Sequence, residues 1–269
     1  MTLPQFVAAA LGPVVAGVVW RARLLTADGA IAAAALGSAA ALAGLDWMAL
    51  LLAFFISSVL LGRLGRATKQ ARSATIIEKA GPRDAAQVLA NGLVFGIGAA
   101  LAASGHLTTA TLTAALGALA AATADTWGTE IGMLARSAPR SILTWVMLEP
   151  GMSGGVSLQG LAATAAGAAL LATLAWLLGW PGTTAVAAAI GGIGGGIADS
   201  VLGATLQQRR RSLSTGRMTE RLTDVDGSAT EAAGGLAWLN NDGVNLVATM
   251  AGAVIAMQAH ALLTTQGGA

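Results

Sequence analysis

Hydrophobic positions in this chain run in long blocks, and the polar residues gather in the connections between them. At about 17–25 apolar residues per bilayer crossing, the pattern predicts eight helices: 4–20, 29–44, 47–62, 85–103, 108–134, 158–180, 184–206 and 241–263. The second is short and the fifth is long. The expected fold class is all-α, a polytopic integral membrane helix bundle of about eight transmembrane helices. It forms a single transmembrane domain over residues 1–269, with polar loops at 63–84, 135–157 and 207–239. Threading the blocks alternately sends all 15 Lys and Arg residues to one side, in or beside the loops after the first, third, fifth and seventh helices. The other side holds only Asp46, His106, His260 and the termini. That asymmetry places the basic loops in the cytoplasm and the N-terminus outside a multi-pass cell membrane protein.

Composition supports the membrane reading. Charged residues make up 10% of the chain and hydrophobic ones 55%, against about 25% charged in a soluble domain. The 36 glycines suit helices that pack closely through small residues. The absence of cysteine excludes disulfides and thiolate metal sites. The first apolar run lacks a cleavable signal pattern and reads as a permanent helix. A pI near 9.9 raises the question of nucleic acid, but the basic residues sit where membrane orientation already accounts for them, so no nucleic-acid partner is expected.

The candidate chemistry centres on Ala124-Asp125-Thr126-Trp127-Gly128-Thr129-Glu130-Ile131-Gly132, which puts two carboxylates near the end of an apolar helix. An ionisable side chain at membrane depth is costly and marks a functional site by default. Five residues apart, Asp125 and Glu130 stand roughly 140° around an ideal helix, so either a kink at Gly128 or Gly132 joins them or each has its own partner. Arg83, Gln87 and Asn91 recur at intervals of four as one polar stripe, with Asp84 beside it. The 150–157 loop is rich in small residues, among them Ser153, Gly154 and Gly155, and can turn its N–H groups toward an anion. Asp199 and Ser200 lie about two turns before a basic loop, after a Gly191–Gly196 run suited to close helix packing. Asn241, Asp242 and Asn245 open the last helix. Structural readings stand beside each of these: snorkelling and interhelical amide bonds for the stripe, arginine ion pairs for the acids, and a favourable helix N-terminus for Asp242. The loop acids Glu220, Asp224, Asp226 and Glu231 read as solvated. Carboxylates among cations suit Mg²⁺ carrying a polyphosphate. No Walker P-loop is present, and neither histidine lies on the basic side.

In this order the motifs resemble those of the transmembrane protein 19 / domain of unknown function 92 family, which includes the plant phytyl-phosphate kinase. The matching pieces are Arg83 to Gly92, Ala124 to Gly132, Gly151 to Ser157, Asp199 to Ala204 and Asn241 to Asn245. The resemblance implies a membrane kinase that passes a phosphoryl group from a nucleoside triphosphate, CTP by preference, to an isoprenyl monophosphate such as phytyl or geranylgeranyl phosphate. It assigns Mg²⁺ to Asp125 and Asp199, with Glu130 and Asp242 as further candidates. Arg83, Lys79 and loop arginines would neutralise phosphates. Asp84, Gln87, Asn91, Ser153, Gly154, Gly155, Asn241 and Asn245 would complete the substrate and nucleotide site, which faces the cytoplasm with the prenyl tail between apolar helices. Two rivals remain. A cation- or proton-coupled transporter would use Asp125, Glu130 and Asp199 as a relay. A CTP-dependent lipid-phosphate cytidylyltransferase would release pyrophosphate instead of CDP.

Overall fold

Each apolar block forms a helix in the computed structural model, which describes residues 3–79 and 81–266. Residue 80, inside the expected 63–84 loop, and the extreme ends of the 1–269 domain lie outside the described residues. The long helices are α1 (Leu3–Arg21), α2 (Ala27–Ala43) and α3 (Leu45–Arg63), then α5 (Ala85–Ala103) and α6 (Thr109–Gly132). They continue with α7 (Leu158–Leu177), α8 (Gly182–Thr205) and α9 (Asn241–Gln266). The short helix α4 (Arg66–Ser73) lies inside the first basic connection, where the sequence predicts a loop.

Six of the long helices are long and apolar enough to cross a membrane. The exceptions have different causes. α2 is apolar but has only 17 residues. α6 is long but rich in threonine and carries the two acids, and its Thr113 and the stretch from Ala115 to Ala124 are buried. It packs against α3, α5, α7, α8 and α9, so other helices, not lipid, form its solvent.

Small residues let those neighbours close in. A Cβ on Gly252 of α9 would stand 3.0 Å from the Gly117 carbonyl and 3.1 Å from that of Gly191, so the α6–α8–α9 crossing is a backbone contact. Gly128 and Gly132 serve the same purpose: they face Gly160 of α7 within an unbroken helix. The helix runs on through both glycines to Gly132, and Asp125 and Glu130 have separate partners. At the end away from the basic loops, Trp47 packs on Phe95 and Trp180 with ring centroids 5.2 and 4.9 Å apart. Asp46 accepts a 2.6 Å hydrogen bond there from the Trp180 indole.

The loops add small sheets to the all-α bundle. β1 (Arg140–Ser141) pairs with β2 (Gly155–Val156). β3 (Arg209–Ser212) is the centre strand between β4 (Met218–Thr219) and β5 (Thr230–Gly234). The three-stranded sheet braces the segment after α4: Thr219 Oγ1 donates to the Thr75 carbonyl at 2.8 Å, and the Glu220 N–H to that of Ile76 at 3.1 Å.

Candidate functional site

The C-terminal ends of α3, α6 and α8 and the N-terminal ends of α5, α7 and α9 surround one cavity of about 1100 Å³. Most of the polar positions singled out in the sequence line it, among them Asp125, Glu130, Asp199, Arg83, Gln87, Asn91, Asn241, Asp242 and Asn245. Lys79 and Ser153, Gly154 and Gly155 of the small-residue loop line it too. Asp84 stands beside it, bonded to Lys79.

The four acids do not converge on one point. Asp125 and Asp199, on adjacent faces of α6 and α8, meet side chain to side chain. Among the described residues Asp199 Oδ2 is a buried atom with no hydrogen-bond partner, as is Ser58 Oγ on another wall of the cavity. Glu130 turns instead to Lys69 of α4, which is only 4% exposed and also donates to the Leu61 carbonyl at 2.6 Å. Beside it Arg72 caps the end of α6 through the carbonyls of Met133 (2.9 Å) and Ala135 (2.7 Å). Asp242 accepts from Lys79 at 2.6 Å, and Lys79 reaches Asp84 at 2.7 Å with the same ammonium. Burial pulls Lys79 down, but the bonds to Asp242 and Asp84 outweigh it and hold the ammonium above its ordinary value. Among the described residues no three His, Cys, Asp or Glu side chains are grouped as a metal cage.

The α5 stripe also needs revising. The helix begins at Ala85, with Asp84 as N-cap in a capping box: the Asp84 carboxylate accepts from the Gln87 N–H at 2.9 Å, and Gln87 Oε1 accepts from the Asp84 N–H at 3.2 Å. Arg83 therefore precedes the helix. Its backbone is held instead against the chain between α1 and α2, with its N–H on the Leu24 carbonyl and its own carbonyl bonded by the Thr26 N–H at 3.0 Å. Asn91 Nδ2 donates to the Gln87 carbonyl at 3.0 Å. Among the described residues, the guanidinium groups of Arg23, Arg63, Arg66 and Arg83 make no hydrogen bond or ion pair, and all four line the cavity. Those cations and the Asn245 amide are among the groups open to an anion.

Glu220 overturns its expected place among the solvated acids. It lines the cavity and accepts hydrogen bonds from the Ser153 N–H and from Gln207 Nε2, both at 2.9 Å. The Ser153 N–H is thus committed to a carboxylate and not free for an anion. Asp224 is likewise buried. Burial pushes the Glu220 carboxyl above its ordinary value of 4.5, against the opposing bonds from Ser153, the charge of Arg209 and the bond from Gln207. Folding therefore favours its neutral form. That contribution is complete below the ordinary value and is lost as pH rises through the higher folded one. Glu220→Gln should accordingly flatten the loss of thermal stability that wild type shows as pH rises above the ordinary value of 4.5; two parallel curves would remove Glu220 as its source.

The signals missed in the sequence were Lys69, hidden in a run of basic residues, and Glu220. The 207–239 connection is unusually long for a helix bundle, and such length signals a folded, functional loop.

The family model described as integral membrane protein DUF92 matches residues 10–253. The chain is 32% identical over 220 residues to an uncharacterized membrane protein of Methanocaldococcus jannaschii, covering 82% of this chain and 79% of that one. It is 28% identical over 235 residues to Protein PGR of Arabidopsis thaliana, covering 77% of this chain and 79% of that protein. No solved structure matches it.

Proposed function

Because the chain belongs to the DUF92 family of integral membrane proteins, we propose that it is a membrane kinase acting at the cavity at its basic end. It transfers the terminal phosphoryl group of a nucleoside triphosphate, with CTP favoured, to an isoprenyl monophosphate such as phytyl or geranylgeranyl phosphate. The observation that carries this reading is the division of the cavity lining. Two half-buried carboxylates meet on one wall, and the other walls carry four arginines whose guanidinium groups make no hydrogen bond or ion pair among the described residues.

The donor set suits Mg²⁺, which takes one or two carboxylates and fills its remaining positions with phosphates and water. Asp125 and Asp199 would hold it, and the orphaned Asp199 Oδ2 is the atom with a free coordination site. Glu130 and Asp242, also proposed as ligands, are engaged by Lys69 and Lys79 and contribute mainly by balancing those cations. When bound, the metal supplies charge neutralisation on the donor phosphates.

The remaining work belongs to the chain's own groups. Arg83 binds the acceptor phosphate, while Gln87, Asn91 and Asn245 orient it; Arg23, Arg63 and Arg66 hold the donor polyphosphate. The acceptor's second pKa lies near 6, so it is largely a dianion at neutral pH and needs no general base. Its oxygen attacks the terminal phosphorus, the new P–O–P bond forms, and the nucleoside diphosphate departs with the electron pair of the broken bond. Catalysis then rests on alignment and charge compensation. In the cell membrane the basic end would face the cytoplasm, where nucleotides are available.

A transporter needs a polar path through both halves of the bundle. The far-end groups are instead satisfied locally, Asp46 by Trp180 and His106 by Ser104, which favours the kinase. The test is product analysis by mass, with purified protein, Mg²⁺, CTP or ATP, and phytyl or geranylgeranyl monophosphate. The expected products are the prenyl diphosphate and CDP. A CDP-linked lipid with pyrophosphate would replace the kinase with a cytidylyltransferase, and no turnover by folded protein would overturn both.

A further inference from the structure

A second, smaller cavity of about 80 Å³ lies between α1, α2, α3 and α5. Its walls are almost wholly apolar, formed by residues such as Val15, Leu36 and Leu51. Its polar lining is Arg83, Gln87 and Asn91, and the same three residues line the large cavity. The two spaces therefore share a wall whose polar groups include a guanidinium with no hydrogen bond or ion pair among the described residues. The backbone of Arg83 is fixed on both sides by Leu24 and Thr26, so this junction is built into the fold.

We propose that this slot seats the phosphate-proximal end of the acceptor's single isoprenoid chain, with its phosphate at Arg83, Gln87 and Asn91. The proposal rests on the prenyl-phosphate reading and adds the route and the helices that recognise the tail. Charge and size select the occupant. The mouth is cationic and amide-lined, as a phosphate monoester requires, while the interior offers nothing to an ester carbonyl. With about 10–15 Å³ of such space per water-sized group, the slot holds roughly five to eight such groups: one chain's first isoprene unit, and no glycerol bearing two acyl tails. The rest of the chain must run outside, along a bundle edge where α1 already exposes Val14 and Val18. Selectivity should thus read the first isoprene unit closely and total chain length weakly.

The experiment uses the full-length protein in phosphatidylcholine nanodiscs, without nucleotide. The probe is geranylgeranyl monophosphate carrying a diazirine on its first isoprene unit, and adducts are mapped by peptide mass after irradiation. Adducts are expected on slot residues of α1, α2 or α3, reduced at least tenfold by excess unlabelled phytyl monophosphate and unchanged by the same excess of phosphatidic acid. Ala33→Phe, which fills the slot, should cut the adduct yield tenfold and raise KM for the prenyl phosphate without changing KM for the nucleotide. Adducts confined to α6–α9, adducts spread evenly over the lipid-facing surface, or equal displacement by phosphatidic acid would each overturn the slot. Mapping on wild type decides the matter even if Ala33→Phe does not fold. Slot labelling without turnover would keep the slot and remove the kinase, while turnover with labelling elsewhere would do the reverse.

Discussion

Asp199→Asn is expected to lower turnover at least 1000-fold while leaving the protein folded, with a thermal midpoint equal to or above that of wild type. The asymmetry follows from the site. Asp125 and Asp199 are half-buried against each other, and the buried Asp199 Oδ2 has no hydrogen-bond partner among the described residues. An unmet buried polar atom costs about 1–3 kcal/mol, so stability alone gives no reason for two carboxyls here. Replacing one with an amide removes the carboxyl–carboxyl contact and, on the proposed reading, a metal ligand. A thousandfold loss corresponds to about 4 kcal/mol of transition-state stabilisation, within the range for deleting one preorganised electrostatic contact. Asp125→Asn should behave alike, and the double variant should be little worse than either single one, since half a metal site is no site. Turnover within threefold of wild type in either single variant, measured on folded protein, would sink the metal assignment.

The second large effect is on folding. Lys69 is buried beside Glu130, and removing one partner of a buried ion pair costs about 3–5 kcal/mol because the other charge is stranded. Lys69→Met should therefore strip much of the protein's stability, read as a thermal midpoint in detergent. The coupled change Lys69→Met with Glu130→Gln should recover most of it, since no net charge then remains buried. If the double variant is as unstable as Lys69→Met alone, the ion pair is not what anchors α4 to α6. Activity separates the roles further: a stable double variant that still turns over substrate would show that Glu130 holds α4 in place and is not required as a ligand.

The parts legible in the sequence were those that lipid imposes. A bilayer demands contiguous apolar blocks, so all eight long helices emerged with ends close to those observed. The charge bias gathered the loops on one side, and there the cavity lies. The acids at 125 and 199 stood out for the same reason, since nothing else explains a carboxylate in such a block. Partner choice was not legible, because it depends on how helices rotate against one another. Asp125 looks to Asp199 and Glu130 to Lys69, although both acids share one helix. Glu220 escaped because its burial arises from strands that pair at a distance, Arg209–Ser212 with Thr230–Gly234, over a stretch that reads locally as polar loop. The start of α5 at Ala85 was legible, but Arg83 was grouped with Gln87 and Asn91 as one helical stripe, although Asp84-Ala85-Ala86-Gln87 carries the spacing of a capping box that sets Arg83 ahead of the helix.

The aromatic closure at the far end bears on the economy of the membrane itself. With Trp47, Phe95 and Trp180 packed together there, the proposed kinase has a headgroup enter and leave the basic-end cavity by the same mouth. Substrate and product then remain in one monolayer, no charge traverses the bilayer during a cycle, and the rate should not respond to a voltage across it. Any appearance of product lipid in the opposite leaflet would have to be the work of a separate flippase.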